Sequence, residues 1–209
     1  VMNSKRILLS PPHMGGTEPT YIAQAFQDNW IAPAGPHIDL FENRLVDFLD
    51  EKIQVVALNS GTAAIHLGLQ LLGVQKGDVV LCQSLTFIAS VNPVLYLGAT
   101  PVLIGSEKET WNLCPIALEE AILNQLNKGI QPKAIVVVHL YGMPAKMNEI
   151  ITISKKYNIP ILEDAAEALG SAYQGKPCGT LGAYGVFSFN GNKIITTSGG
   201  GALICHSEI

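Results

Sequence analysis

The sequence predicts an α/β fold with a mostly parallel, mixed central sheet flanked by helices. Three observations predict it. Short apolar runs rich in β-branched residues recur from Val55 onward, and segments of helical spacing separate them. The runs are continuously apolar rather than alternating, as strands covered on both faces require. The 209 residues suit one large domain, and 48% apolar residues can build a substantial core.

The elements follow in order. The first 40 residues carry the turn formers Pro11-Pro12, Gly15-Gly16, Pro33 and Gly35-Pro36, so they read as an extended arm with one short helix, Thr20–Asn29. Leu40, Phe41, Leu45, Phe48 and Leu49 give Asp39–Asp50 a helical period. Val55–Leu58 is a strand ended by Asn59-Ser60-Gly61, and Thr62–Leu72, apolar nearly all round, is a buried helix. Strands are expected at Val79–Cys82, Thr100–Ile104, Ala134–His139, Pro160–Glu163, Val186–Phe189 and Ala202–Cys205. Helices are expected at Phe87–Leu97, with Pro93 inside it, at Pro115–Asn127, which opens on proline, and at Lys146–Tyr157.

Composition excludes several functions. Charged residues are only 14%, against roughly 25% in average soluble domains. A disordered chain needs the opposite balance, and the deficit predicts a surface covered by a partner subunit or a further domain. Net charge is −4 and Arg6 and Arg44 are the only arginines, so no nucleic-acid partner is expected. Cys82, Cys114, Cys178 and Cys205 form no CxxC pair, which argues against a metal site. The apolar stretches near Val94–Ile104 and Ala134–Leu140 fall short of the roughly 18 residues of a membrane span. The opening VMNSKRILLSPP lacks a signal-peptide core, so a cytoplasmic protein away from membranes is expected.

Ligands of parallel sheets collect beyond the carboxyl ends of the strands, and three segments there carry chemistry. In NSGTAAIHLGL a strand turns into a helix through Ser60, Gly61 and Thr62. Helix-terminal N–H groups and two hydroxyls can bind an anion there, or Ser60 can be an ordinary N-cap. In IPILEDAAEALG a buried strand ends in Glu163 and Asp164, which alternation sends to opposite faces. A carboxylate so placed needs a partner, whether a protonated pyridine nitrogen, a metal ion or the start of a helix. In FSFNGNKIITTSGGGAL, Lys193 stands beside Ile194 and Ile195; it reads either as a desolvated, nucleophilic amine or as a loop lysine.

Together with SPPHMGGTEPTYIAQAF, NWIAPAGPHIDLFENRL, SLTFIAS and VHLYGMP, these segments resemble the DegT/DnrJ/EryC1/StrS family of pyridoxal phosphate-dependent sugar aminotransferases, from about Ile7 to the end. The resemblance implies the large domain of the fold-type I, aspartate aminotransferase-like architecture. It implies that Lys193 forms the Schiff base with pyridoxal 5′-phosphate, that Asp164 pairs with the pyridine nitrogen, and that Phe87 stacks on the ring. Glu167 would sit near the phenolic oxygen, while Ser60, Gly61, Thr62 and Ser188 would hold the phosphate. His13 and Trp30 would approach a sugar-nucleotide substrate, and His139 would have a structural hydrogen-bonding role.

The implied reaction is a ping-pong transamination from glutamate to a nucleotide-linked keto-sugar. The arm most resembles the branch acting on UDP-linked 4-keto-6-deoxy-N-acetyl sugars, whose products feed surface polysaccharide or glycan synthesis. A 3-keto-sugar aminotransferase, a dehydratase and a non-catalytic cofactor-binding fragment are the alternatives. The dehydratase branch carries His in place of the Schiff-base lysine, so Lys193 favours transamination. The family implies a homodimer. Residues 1–50 are expected to be the arm and first helices, and 51–209 an incomplete cofactor-binding large domain without its small C-terminal domain.

Overall fold

The computed structural model describes residues 6–30, 32, 34–49 and 52–206. Two helices come first, α1 (Glu18–Gln27) and α2 (Pro36–Leu49), followed by β1 (Ile53–Leu58) and α3 (Gly61–Leu71). After β2 (Val79–Gln83), a 3-10 turn (Ile88–Ser90) leads into α4 (Asn92–Tyr96). Then come β3 (Thr100–Ile104), α5 (Pro115–Asn127), β4 (Ala134–Val138), α6 (Met147–Tyr157) and β5 (Ile161–Asp164). A small hairpin, β6 (Ala172–Tyr173) with β7 (Lys176–Pro177), precedes β8 (Tyr184–Ser188) and β9 (Gly201–His206).

The main sheet has seven strands in the order β1-β9-β8-β5-β4-β2-β3. Strand β9 runs antiparallel to both β1 and β8, and the remaining pairings within this sheet are parallel. The sheet is therefore mixed and mostly parallel, as the continuous apolar runs predict. Inner strands β2 and β4 are buried at every position, whereas edge strand β1 alternates over its first four residues.

Alternation along β5 divides the core. Leu162 packs with Ala64, Ile65 and Leu69 of α3 on one face. Ile161 packs with Leu118 and Ile122 of α5 and with Ile150 and Ile153 of α6 on the other. A third cluster joins Leu45 and Leu49 of α2 to Ile53, Val55, Phe187 and Ala202. Each leucine, isoleucine, valine or phenylalanine among these contributes about 1.5–3 kcal/mol when fully buried, so β5, the middle strand, is clamped from both sides.

Local chemistry sets the boundaries. Ser60 caps α3 by accepting from the Ala63 N–H (3.1 Å). Asn158 ends α6 in the left-handed region (φ 52°). The helix expected over Phe87–Leu97 is broken into the 3-10 turn and α4. Pro93 lies in the first turn of α4, where a missing N–H costs nothing, so it starts a helix instead of continuing one. Helix α1 begins earlier than expected, with Pro19 in its first turn. The hairpin β6–β7 is not foreseen by sequence; Gln174 and Gly175 both take positive φ (50° and 81°), as a primed turn requires. The expected end of α2 at Asp50 and the boundary between residues 50 and 51 lie outside the described residues. Among the described residues, no helix is long and apolar enough to cross a membrane.

Glu163 shows what the far face of β5 demands. Its side chain is fully buried and accepts from His139 Nε2 (2.8 Å), Gly179 N–H (3.0 Å), Leu181 N–H (2.5 Å) and Gly182 N–H (2.6 Å). The Ala145 N–H donates to His139 Nδ1 (3.1 Å), so the ring proton sits on Nε2, facing Glu163. His139 therefore has the structural hydrogen-bonding role expected of it. Glu163→Leu strands four buried donors at once, and should lower unfolding free energy by at least about 3 kcal/mol in urea denaturation; an unchanged midpoint would contradict this account. Gly201 makes a second test, because a Cβ there would overlap the backbone of Ser60 and Gly61. Gly201→Ala should part β9 from the start of α3 and lower the melting temperature, and a wild-type melting curve would count against this packing.

Candidate active site

A cavity of about 550 Å³ opens at the carboxyl ends of β1, β4, β5 and β8, within the roughly 300–1,000 Å³ usual for small-molecule sites. Ser60, Gly61, Thr62, Phe87, Asp164, Glu167, Ser188 and Lys193 all line it. The structure thus brings together all eight residues assigned to the cofactor from the sequence. His13 and Trp30 are not among the lining residues; both are exposed, and the Trp30 ring lies against Gly35.

One wall is the start of α3. The Ala63 N–H is taken by Ser60 Oγ and the Ala64 N–H by the Ser60 carbonyl. The N–H groups of Gly61 and Thr62 have no partner among the described residues. They join the Thr62 and Ser188 hydroxyls along the lining, and a helix start with free donors favours an anion. Gly61 permits this closeness, since a Cβ on it would lie 3.0 Å from Ser188 Cβ.

Deeper in, Asp164 ends β5 on the face opposite Glu163. Its Oδ2 accepts from Ser90 Oγ (2.6 Å) and its Oδ1 from the Ala166 N–H (3.1 Å). Burial pushes its carboxyl above the ordinary value, while Ser90, the Ala166 N–H, Lys193 and His139 pull the other way. A carboxyl buried at a cavity floor is a seat for a cation, which would favour its charged form.

Lys193 lines the cavity from the loop between β8 and β9. Its Nζ is 2.9 Å from Glu167 Oε1, and its side chain is 12% exposed. The apolar setting that Ile194 and Ile195 suggest is not what encloses it, because those two side chains are 61% and 57% exposed. The amine is enclosed instead by the cavity wall and paired with a carboxylate. Phe87 is 75% exposed at the cavity edge, so one side of its ring is open to a flat ligand.

This donor set fits pyridoxal phosphate. Anion donors, a buried carboxylate, an amine and an aromatic edge match its phosphate, ring nitrogen, aldehyde and ring face. Sequence reasoning missed Asn190 and Asn192 in the lining and Ser90 behind Asp164. Thr86 and Ser90 lie within SLTFIAS, but their chemistry depends on Asp164, which is remote in sequence. The thiols of Cys82 and Cys178 are pushed up to about 12, chiefly by burial, and neither lines the cavity.

Comparison with known proteins follows the same lines. The model of the DegT/DnrJ/EryC1/StrS aminotransferase family matches residues 12–209. The chain is 54% identical over 204 residues to a Bacillus subtilis protein named as a pyridoxal phosphate-dependent aminotransferase, EpsN, covering 98% of this chain and 52% of that one. It is 40% identical over 205 residues to the GDP-perosamine synthase of Escherichia coli O157:H7, covering 98% and 54%. Among solved structures, the PLP form of the Streptococcus pneumoniae protein Spr1654, titled as a sugar aminotransferase, superposes with a TM-score of 0.85 at 29% identity, covering 97% and 54%. The chain spans about half the length of the curated relatives it matches. Fold, cavity chemistry and sequence agree that the chain belongs to the DegT/DnrJ/EryC1/StrS aminotransferase family of fold-type I, pyridoxal phosphate-dependent enzymes.

Proposed function

We propose that this chain is the cofactor-binding part of a nucleotide-sugar aminotransferase. The observation that carries this reading is the meeting, in one cavity, of a helix start with free donors, a buried carboxylate and the Lys193 amine. Ser60, Gly61, Thr62 and Ser188 would hold the phosphate. Asp164 would hold the ring nitrogen in its charged form, Phe87 would cover the ring, and Lys193 would anchor the aldehyde. When bound, pyridoxal phosphate supplies an electron sink for the charge that develops at the donor's α-carbon.

The residues divide the remaining work. Lys193 Nζ would take the proton from the donor's α-carbon and pass it on to the cofactor rather than back to that carbon, as a positioned amine can. Glu167 holds that nitrogen in place at 2.9 Å. Asp164 keeps its charge in a nearly dry site, where an electrostatic partner counts for more than in water.

Glutamate is the donor we propose, and a nucleotide-linked keto-sugar the acceptor. A UDP-4-keto-6-deoxy-N-acetyl sugar is the reading taken from the arm, and the relative named GDP-perosamine synthase supports sugar-nucleotide chemistry generally. His13 and Trp30 are the candidates for that substrate's outer end. The product would enter surface polysaccharide or glycan synthesis in the cytoplasm. Residues 51–209 would form the large domain, with 1–50 as its arm. Helix α1 buries none of its residues, leaving Tyr21, Ile22 and Phe26 exposed, which supports a homodimer that covers apolar surface.

Two measurements test the reading. In a single turnover, L-glutamate should bleach the cofactor's visible band and release an equal amount of 2-oxoglutarate; a stable band with no 2-oxoglutarate would refute transamination. Asp164→Asn should keep the cofactor but slow that step about a hundredfold or more, since a neutral amide cannot hold the ring charge. Near-normal kinetics in this variant would remove Asp164 from the mechanism.

A further inference from the structure

Behind the cavity, Asp164 is held by groups that the proposed chemistry leaves unused. Ser90 closes the 3-10 turn before α4 and is fully buried. Its Oγ donates to Asp164 Oδ2 at 2.6 Å. Thr86 Oγ1 lies 2.7 Å from the same Ser90 oxygen, and Thr86 stands in the cavity wall beside Phe87.

A hydroxyl carries one hydrogen. Ser90 has spent its hydrogen on Asp164, so Thr86 must be the donor to Ser90. The two bonds therefore run one way, from Thr86 through Ser90 to Asp164. The second carboxylate oxygen accepts from the Ala166 N–H at 3.1 Å, so both oxygens are acceptors, the pattern of an ionised carboxylate. Burial works against that charge. Two further groups face it, His139 at the exit of β4 and Lys193 on the β8–β9 loop. The His139 ring is engaged with Glu163 and the Ala145 N–H, and Lys193 Nζ is paired with Glu167. Besides the Ala166 N–H, the hydroxyl relay is the direct donor to Asp164 among the described residues.

We propose that Ser90 is a positioning residue for the cofactor: its hydroxyl, aligned by Thr86, keeps Asp164 ionised and fixed toward the ring nitrogen. This rests on the reading that Asp164 partners that nitrogen. Loss of the relay makes Asp164 more basic, and the shared proton then moves from the ring nitrogen to the carboxylate. A residue that merely filled space behind Asp164 would not move that proton. The division of this segment into a 3-10 turn and α4 puts Ser90 there, since a continuous helix would carry residues 88–90 along a different path.

The test is 15N NMR of the protein loaded with pyridoxal phosphate labelled at its ring nitrogen. In the unsubstituted protein the signal should lie at the pyridinium position; a neutral-pyridine position would overturn the Asp164 reading and this proposal with it. Given a pyridinium signal there, Ser90→Ala should shift it toward neutral pyridine, and Ser90→Thr, which keeps the hydroxyl, should restore it. Thr86→Val, nearly isosteric, should shift it in the same direction by less. An unmoved pyridinium signal in Ser90→Ala would overturn the role of Ser90 and leave that of Asp164 standing. Should Ser90→Ala fail to fold or to load, Thr86→Val decides, and an unmoved signal there overturns the relay.

Discussion

Two consecutive carboxylates end the middle strand of the sheet, and the structure depends on how each is satisfied. A strand alternates, so Glu163 and Asp164 cannot share a face, and both are buried. On the far face Glu163 gathers His139 and three backbone N–H groups of residues 179–182, closing the loop that leads into β8. On the near face Asp164 receives two donors and opens onto the cavity. One carboxylate is saturated and holds the fold; its neighbour is left with capacity and awaits a charge. An unpartnered buried charge is among the costliest things a domain can hold, so this asymmetry is itself a statement about a cationic ligand.

The remaining parts of the site are arranged around that residue. The start of α3 gives an anion seat, held near β8 and β9 by close approaches at Gly61 and Gly201. Lys193 comes from the loop between β8 and β9, the strand that runs antiparallel to both of its neighbours. Its pairing with Glu167 keeps the amine in the cavity, while its apolar neighbours point outward. Membership of an aminotransferase family agrees with a cavity that suits pyridoxal phosphate.

Much of this was legible in the sequence, for physical reasons. Continuous β-branched runs such as Ala134–Val138 can only be buried strands, and Ser60 with Gly61 at a strand-to-helix turn announces an N-terminus. Opposite faces for Glu163 and Asp164 follow from alternation alone. Less legible was anything that joins distant residues. Ile194 and Ile195 suggested that Lys193 is desolvated by its neighbours, whereas its enclosure comes from Glu167 and the cavity wall. The contact of Ser90 with Asp164 spans 74 positions and has no local signal. Pro93 was visible, but its effect, a helix restarted rather than kinked, depends on packing against α3. The hairpin at Gln174-Gly175 lacks the Asn-Gly or Asp-Gly pair that marks such turns best.

The central claim is that Lys193 and Asp164 meet one cofactor in this cavity. Borohydride reduction of the protein with pyridoxal phosphate, followed by peptide mapping, tests it most directly. The account predicts one stable adduct, on Lys193, and its loss in Lys193→Ala. An adduct on Lys176 in place of Lys193, or no adduct at all, would contradict it.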